Sequence, residues 1–387
     1  MRKFVVVCIS LMFVFGLAGA GFGAFPEVVR IGHTVSLTGG ASMWGQSEAN
    51  AIDMLVTQLN NTQNGILGRH IEIVRYDNRN DAVEAVNVAR RLVGDGVVAV
   101  IGPAQSGRAI ASAPVFERAK IPMIVTTATN PYVTIDQKTG ELRKFAFRPC
   151  FIDPYQGTVA ARFAVDDLNA TKAAILYDVG DDYGQWLSRY FEEAFAEKGG
   201  KVVAKEAFRT EELDYRAQLG KIKEQEPDVI FIPTSQKEAA MAAKQARDLG
   251  IKAILLGTDN WGSPDLIELG GDAINGAYFV NLTDLDDPDI QSFVREYKEL
   301  YGTEPILPNP VMGQDALIMI AEAAKIADTF DGEALAKALA NLKNIKVTSG
   351  TLTMDPTTHN PLDKPAVIQQ VDVPNGKFIF VKKYGSM

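Results

Sequence analysis

The chain has 387 residues, 47% of them hydrophobic and 22% charged. That composition excludes a disordered chain, a fibre and a polytopic membrane protein, and the length accommodates about two or three domains. The formal charge of −9 (39 basic, 48 acidic residues) argues against a nucleic-acid scaffold, which needs a basic face, and against anchoring on anionic lipid.

Arg2 and Lys3 open the chain as a short positive region, followed by an uncharged apolar run over residues 4–20. Ala18-Gly19-Ala20 is a small-x-small site, so residues 1–20 read as a secretory signal peptide cut after Ala20, with Gly23 or Ala24 as neighbouring alternatives. An uncleaved anchor is the rival reading; the run is at the lower limit for spanning and ends in Gly and Ala. Cys8 lies too early for a lipoprotein cysteine. The mature chain would keep 37 basic and 48 acidic residues, a charge of −11, and Cys150 alone, hence no internal disulfide.

From Val28 onward, β-branched runs alternate with helical periodicity. Strands are predicted at 28–35, 71–76, 97–101 and 122–126. Helices are predicted at 46–60, where Ile52, Leu55, Val56 and Leu59 share a face, and at 82–93 and 107–120. This is a parallel βαβ series with right-handed crossovers. Residues 145–153, with Arg148-Pro149 and Asp153-Pro154, read as a crossing strand. The pattern then restarts: strands at 173–177, 201–207, 229–233 and 253–256, helices at 183–198, 215–224 and 236–249. The tail carries helices at 288–301, 311–326 and 332–341, then strands at 351–354, 366–373 and 378–381. Two doubly wound α/β lobes follow, with a tail that returns to both.

The chemistry sought first in such a sheet is missing. The first turn, Ser36 to Gly45, lacks the spacing of a dinucleotide fingerprint, and Met43 and Trp44 would crowd a pyrophosphate. No phosphate loop and no nucleophile elbow occur. His33, His70 and His359 are too far apart in sequence for a metal-spaced pair, and His33, within a strand, reads as a hydrogen-bonded structural residue. No catalytic residue, cofactor or metal is expected.

Polar loops do occur at the carboxyl ends of strands, where open α/β sheets bind ligands. Gln105-Ser106 directly precedes a helix, where the hydroxyl is either a cap or, with the helix amides, a carboxylate site. Thr126-Thr127-Ala128-Thr129 is either a polar turn or a row of hydroxyls and carbonyls facing a cleft. In the second half, Asp178 to Tyr183 and Gly257 to Trp261 occupy equivalent places. Asp259 offers a carboxylate to a cationic group, and Trp44 and Tyr183 are candidate walls.

At these loops the chain resembles the periplasmic amino-acid-binding proteins of ABC importers, of the leucine/isoleucine/valine-binding type. The stretches that carry the likeness are 31–39 through Trp44-Gly45, Gly65-Ile66-Leu67-Gly68, Val74 to Asp77, Val100-Ile101-Gly102, Ala128-Thr129 with Pro131, Asp182-Tyr183-Gly184, and Gln245 to Gly250. Each is weak alone; their order and spacing are specific. The resemblance implies two lobes, 21–148 with 282–349 and 149–281 with 350–387, joined by three crossings near Arg148, 280–282 and 349–351.

By position, the resemblance further implies that Ser106 and the Thr129 amide take the ligand carboxylate. The Thr127 carbonyl, the Thr129 hydroxyl and Asp259 would take its ammonium, and Trp44 and Tyr183 would flank its side chain. The family's disulfide positions fall at Asn80 and Gln105, and two of its pocket aromatics at Ser235 and Gln314. Gln105, Ser235 and Gln314 would make the pocket roomier and more polar than one for a branched aliphatic side chain. The expected partners are a small amino acid and an inner-membrane ABC permease; the protein is expected to be a periplasmic monomer. A sensor of the same fold, acting with a membrane partner, is the alternative. An exported α/β hydrolase is a third reading, opposed by the missing nucleophile elbow and metal ligands.

Overall fold

The computed structural model describes residues 27–210, 212–362 and 364–385. The expected signal peptide lies outside the described residues.

The first half builds β1 (Val28–Val35), α1 (Ser42–Gln63), β2 (His70–Asp77), α2 (Ala82–Gly94), β3 (Ala99–Ile101), α3 (Ser106–Ala119), β4 (Met123–Ile124) and β5 (Ala146–Phe147). These strands form one parallel sheet in the order β2-β1-β3-β4-β5. Helix α1 starts four residues before its predicted position and runs on to Gln63. Asn64, in the left-handed conformation at φ 54°, closes it. Asp81 caps α2 by accepting from the Glu84 N–H at 2.8 Å.

The predicted crossing strand over 145–153 shrinks to β5, and the chain turns instead into α4 (Asp153–Arg162), continued by a π-helical turn at Phe163–Asp167. Asp153-Pro154 starts this helix rather than ending a strand, because proline suits the first helical turn, where its missing N–H has no partner to lose.

The second half repeats the first: β6 (Lys172–Asp178), α5 (Asp182–Glu197), β7 (Lys201–Phe208), α6 (Arg216–Glu224), β8 (Val229–Phe231), α7 (Gln236–Asp248), β9 (Ile254–Gly257), α8 (Pro264–Gly270) and β10 (Tyr278–Asn281). Sequence periodicity missed α8 and β10, which are short. The tail adds α9 (Gln291–Tyr301), α10 (Asn309–Ala327), α11 (Gly332–Ala340), β11 (Ile345–Val347), β12 (Gly350–Leu352), β13 (Ala366–Asp372) and β14 (Lys377–Tyr384). The second sheet runs β14-β13-β10-β9-β8-β6-β7, with β13 and β14 antiparallel at its edge. Without those two, its order matches that of the first sheet, strand for strand. Strands β11 and β12 pair only with each other.

Each sheet is covered on both faces, so its strands read as nearly continuous apolar runs. In the first lobe, Ile52 and Leu55 of α1 meet Leu317 and Ile320 of α10 on one face, while Phe116, Leu92 and Val100 fill the other. In the second lobe, Phe191, Phe195 and Phe231 stack on the α5 side, and Trp261, Phe279 and Tyr215 fill the α7 side. Each such side chain contributes about 1.5–3 kcal/mol when fully buried. The α5-side cluster also takes in Met54, Val311 and Met312, so one apolar core is continuous from the second lobe to α1 and α10.

Tail residues Leu352 and Met354 belong to the first lobe's core, and His359 stacks on Phe147 at 4.2 Å. Between α10 and the tail lies a buried ion pair, Lys364 Nζ to Asp315 at 3.2 Å, and Ser349 donates to Asp315 from its backbone at 3.1 Å.

Candidate functional site

The two sheets share a strand order whose switch point lies between the first and third strands, so ligand chemistry is sought in the loops after those strands and the next. In the first lobe these are residues 36–41, 102–105 and 125–130; in the second, 179–181, 232–235 and 258–263.

The first-lobe loops are held by close backbone approaches and polar ties. Gly102 has φ 87°, and a β-carbon there would lie 2.3 Å from the Thr34 carbonyl oxygen. Gly45 lets α1 approach the end of β1; a β-carbon there would meet the Ser36 oxygen at 2.0 Å. Ser36 Oγ donates to Asn78 at 2.7 Å and to Gln105 at 3.3 Å. Arg108 Nε donates to the Asn80 carbonyl at 2.9 Å. A polar bond therefore joins the 77–80 loop to α3 where the resemblance would have placed a disulfide.

Ser106 is the first residue of α3 and is buried; its Oγ accepts from the Asn130 N–H at 3.3 Å. Its own proton remains for an acceptor, beside amides at the positive end of a helix. Thr127 donates to the Ala104 carbonyl at 3.2 Å. Ala128 and Thr129 are fully buried, and Thr129 Oγ1 has no partner.

The second-lobe loops bring carboxylates. Asp259 is buried and accepts from Tyr183 Oη at 2.5 Å and Gln156 Nε2 at 2.9 Å, both on the same oxygen, Oδ1. Burial pushes its carboxyl above the ordinary range, opposed by those two bonds. Tyr183 is held well above the usual phenol value by burial and then by the adjacent Asp259. Thr258 Oγ1 and Gln236 Oε1 are buried without partners. Ser235 precedes α7 and donates to Glu238 of that helix.

Three residues that sequence reasoning passed over stand at the crossing between these halves. Arg148, fully buried, donates to the carbonyls of Ala128 at 2.7 Å and Asn130 at 2.8 Å, which fixes the Thr129 loop. Asp153, also fully buried, has no partner at either oxygen. Burial raises its pKa to about 7, Asp259 adds to the rise, and Thr129 and Arg148 oppose it. Gln156 ties α4 to Asp259. The signal available in sequence was their spacing: 153 and 156 lie three apart on one helix face, five residues after Arg148.

Trp44 is buried with Nε1 unpartnered, and Gln105 is half-buried at the α3 cap. Gln314 lies apart from these bonds: its amide donates to the Ala51 carbonyl at 2.9 Å and accepts from Thr348 at 2.9 Å. The cluster thus joins Ser106, Thr129, Tyr183 and Asp259 through Asn130, Arg148, Asp153 and Gln156, while Gln314 braces a crossing. Cys150 is buried beside the Ala128 carbonyl at 3.9 Å, and burial pushes its thiol up to about 12.

The lobes meet across the cleft. Tyr132 of the first packs edge-to-face on Trp186 of the second, with ring centroids 5.0 Å apart. Ser263 Oγ lies 3.7 Å from Met43 Sδ. Deeper in the first lobe, His33 Nδ1 accepts from Arg75 Nε at 2.9 Å. The ring's other nitrogen, Nε2, therefore carries the proton and donates to Glu48 at 2.9 Å. Arg75 pairs with Asp53 at 2.7 Å. His33 is structural, and burial lowers its pKa. Among the described residues no group of three or more His, Cys, Asp or Glu could hold a metal ion, and no helix is long and apolar enough to cross a membrane.

Two α/β lobes of equal strand order, closing polar loops over a buried site, define a type I periplasmic binding protein fold. The family model for periplasmic binding proteins matches residues 28–377, and the chain belongs to that family. It is 28% identical to the Leu/Ile/Val-binding protein BraC3 of Rhizobium johnstonii over 85% of this chain and 88% of that protein. Among solved structures, a leucine binding protein LivK from Thermotoga maritima is 34% identical with a TM-score of 0.84, covering 92% of this chain and 98% of the other. The branched-chain amino acid transporter substrate binding protein LivJ from Streptococcus pneumoniae, in complex with isoleucine, is 27% identical with a TM-score of 0.82, covering 92% and 100%. The family and these relatives are ligand-binding proteins.

Proposed function

We propose that the chain captures an α-amino acid between its lobes and delivers it to an ABC-type permease of the inner membrane. The observation that carries this reading is the pairing of opposite chemistries. Asp259 and the unpartnered Asp153 offer negative charge from the second lobe and the crossing. Ser106 and the α3 amides offer donors from the first. A zwitterion satisfies both at once, and charge-assisted bonds of this kind contribute roughly 1.5–3 kcal/mol each in a dry site. In this reading Ser106 and the Thr129 amide hold the carboxylate. Asp259, Asp153, the Thr129 hydroxyl and the Thr127 carbonyl hold the ammonium, and Trp44 and Tyr183 flank the side chain. Ser235 and Gln236 lend the second-lobe wall a polar character, which favours tolerance of polar as well as aliphatic side chains.

The family supports a periplasmic location; export with cleavage near Ala20 and action as a monomer are part of the proposal. The lobes are 21–148 with 282–349 and 149–281 with 350–387. Packing of Leu352, Met354 and His359 on the first lobe favours moving the third crossing of that scheme from 349–351 to beyond His359.

A thermal-shift screen of the mature protein tests the function. Leucine, isoleucine and valine, with threonine, alanine and glutamine, are set against α-keto acids that lack the ammonium. A ligand at about 100 times its Kd adds about 2.7 kcal/mol of stability. Stabilisation by at least one amino acid and none by its keto acid is expected. Equal stabilisation by both, or none by any amino acid, overturns the reading.

A further inference from the structure

The seam where the lobes meet carries charge as well as aromatic packing. Helix α5 presents Asp182, Trp186 and Tyr190 at i, i+4 and i+8, on one face. Trp186 meets Tyr132 of the first lobe at 5.0 Å and stacks on Tyr190 of its own helix at 6.3 Å. One turn nearer the start of α5, Asp182 Oδ2 stands 3.7 Å from the place a β-carbon on Gly107 would occupy. Gly107 is the second residue of α3, so a second-lobe carboxylate lies against the first turn of a first-lobe helix. Asp181, the residue before α5, feels the same helix. Burial raises its pKa, the Arg108 guanidinium of α3 opposes the rise, and Asp178 and Asp182 add to it. Arg108 is itself tied to the Asn80 carbonyl at 2.9 Å, which fixes its charge on the first lobe.

Two helices therefore meet start to start. Each N-terminus carries roughly half a positive charge, and Arg108 adds a full one. Bringing α3 and α5 together is unfavourable unless negative charge lies between them, and Asp181 and Asp182 supply it. This attraction exists only while the lobes are together. Other ion pairs around α5, Lys198 with Asp166 at 3.0 Å and Lys205 with Glu192 at 2.6 Å, lie within the second lobe and are indifferent to opening. Asp182 is exposed and Arg108 half-buried, so solvent and salt reach the seam.

We propose that Asp181 and Asp182 of the second lobe, set against Arg108 and the start of α3 on the first, form an electrostatic clasp that favours the closed arrangement whatever molecule occupies the cleft. The contact of Trp186 with Tyr132, one turn along the same helix face, sets the register in which the charges meet. These are positioning residues. They act on the balance between open and closed lobes, and through it on the affinity of any ligand that prefers the closed form, because apparent affinity scales with the fraction of competent protein. The clasp goes beyond the amino-acid reading and does not depend on it.

Small-angle scattering of ligand-free mature protein tests it, fitted as a mixture of closed and hinge-opened forms. The measurement is made at about 0.01 M and about 1 M NaCl, where the Debye length falls from roughly 30 Å to roughly 3 Å. Salt should raise the radius of gyration and lower the closed-to-open ratio by about two- to fivefold, the range of partly exposed ion pairs. Asp181→Asn with Asp182→Asn should give the high-salt ratio at both salt concentrations. Arg108→Gln should open the wild-type lobes at low salt, but in the doubly neutralised protein it should leave them unchanged or close them, because there the guanidinium only repels a helix start. A radius unmoved by salt in the wild type, a salt response that survives neutralising both aspartates, or an equal Arg108→Gln effect in both backgrounds overturns the clasp. The salt titration needs no variant, so it decides even where a variant fails to fold. With no ligand added, failure here leaves the amino-acid reading standing, and failure of the keto-acid comparison leaves the clasp standing.

Discussion

The two halves of the cleft come from lobes with one strand order, yet they differ in electrostatics. The first-lobe half is neutral and braced. Its hydroxyls and amides are held by Arg148, Arg108 and the Ser36–Asn78 bond, and the loops need no ligand to keep their shape. The second-lobe half, with the crossing helix, is strained electrostatically: burial raises the proton affinity of both Asp259 and Asp153, and Asp259 adds to the rise at Asp153. The lesson is that equal topology positions loops but not chemistry. Residue type in equivalent loops divides the chemistry, and in the function proposed above the first lobe would take the ligand's anionic end and the second its cationic end. On that proposal a molecule carrying both charges would draw the halves together through its preference for the closed form.

Removing the cationic half should have the largest effect. Asp259→Ala leaves a ligand ammonium buried without its main counter-charge, a loss of roughly 2–5 kcal/mol, or about 30- to several-thousand-fold in affinity. Folding of the unliganded protein should hold or improve, since a desolvated carboxylate is gone. Calorimetry and melting temperature check both. Binding within roughly threefold of wild type removes Asp259 from the site.

Protonation sharpens the same contrast. A ligand ammonium favours ionised Asp153, so affinity should climb as pH rises toward its pKa of about 7, by up to about tenfold per unit, and level off above. Binding near pH 6.5 should release protons, seen as a dependence of the calorimetric heat on buffer. The unliganded fold should move the other way. A carboxyl raised from 3.8 to about 7 contributes stability that is full below pH 3.8 and is lost as pH rises through 7, on the order of 4 kcal/mol in all. His33 has the opposite sign: burial keeps its ring neutral, so its contribution is lost as pH falls below 6.5. Urea unfolding between pH 5 and 8 should show Asp153→Asn with the neutral slope removed and the acid-side His33 slope retained.

Smaller effects test the seam and the bracing. Trp186→Ala removes the edge-to-face contact with Tyr132, worth about 0.5–1.5 kcal/mol, so affinity should fall about two- to tenfold with the proton release unchanged. Trp186→Phe should restore most of it. Arg108→Ala unties the Asn80 loop from α3 and should cost about 1.5 kcal/mol of stability in urea, with a smaller loss of affinity than Asp259→Ala.

The alternation of apolar runs and helical periodicity made both doubly wound halves legible, and the loops after β1, β3, β4, β6 and β9 supplied the site candidates. What stayed hidden was the polar chemistry at the first crossing, whose place was legible. Arg148, Asp153 and Gln156 sit in or just after a stretch whose two prolines, read in sequence, fit a crossing strand, and a helix begins at Asp153 instead. Their roles depend on burial and on partners 18 and 20 residues away, as with Arg148, or 103, as with Gln156 and Asp259, and local pattern carries no record of such distances. Gln314 illustrates the converse: a position can be read from its neighbours, but where its amide points is settled by α1 and residue 348. The short α8, β10 and β11 escaped notice because three to seven residues give too little periodicity to register.

Cys150 turns the crossing into a clock. It is the only thiol among the described residues, and burial with a pKa of about 12 leaves almost no reactive thiolate in the folded protein. A thiol reagent therefore labels it only during excursions that expose the crossing. Where reclosing outpaces labelling, the rate reports the population of those excursions rather than their speed. The native sequence thus carries a single-site chemical timer at the hinge, one that should run slower with ligand bound and needs no engineered label.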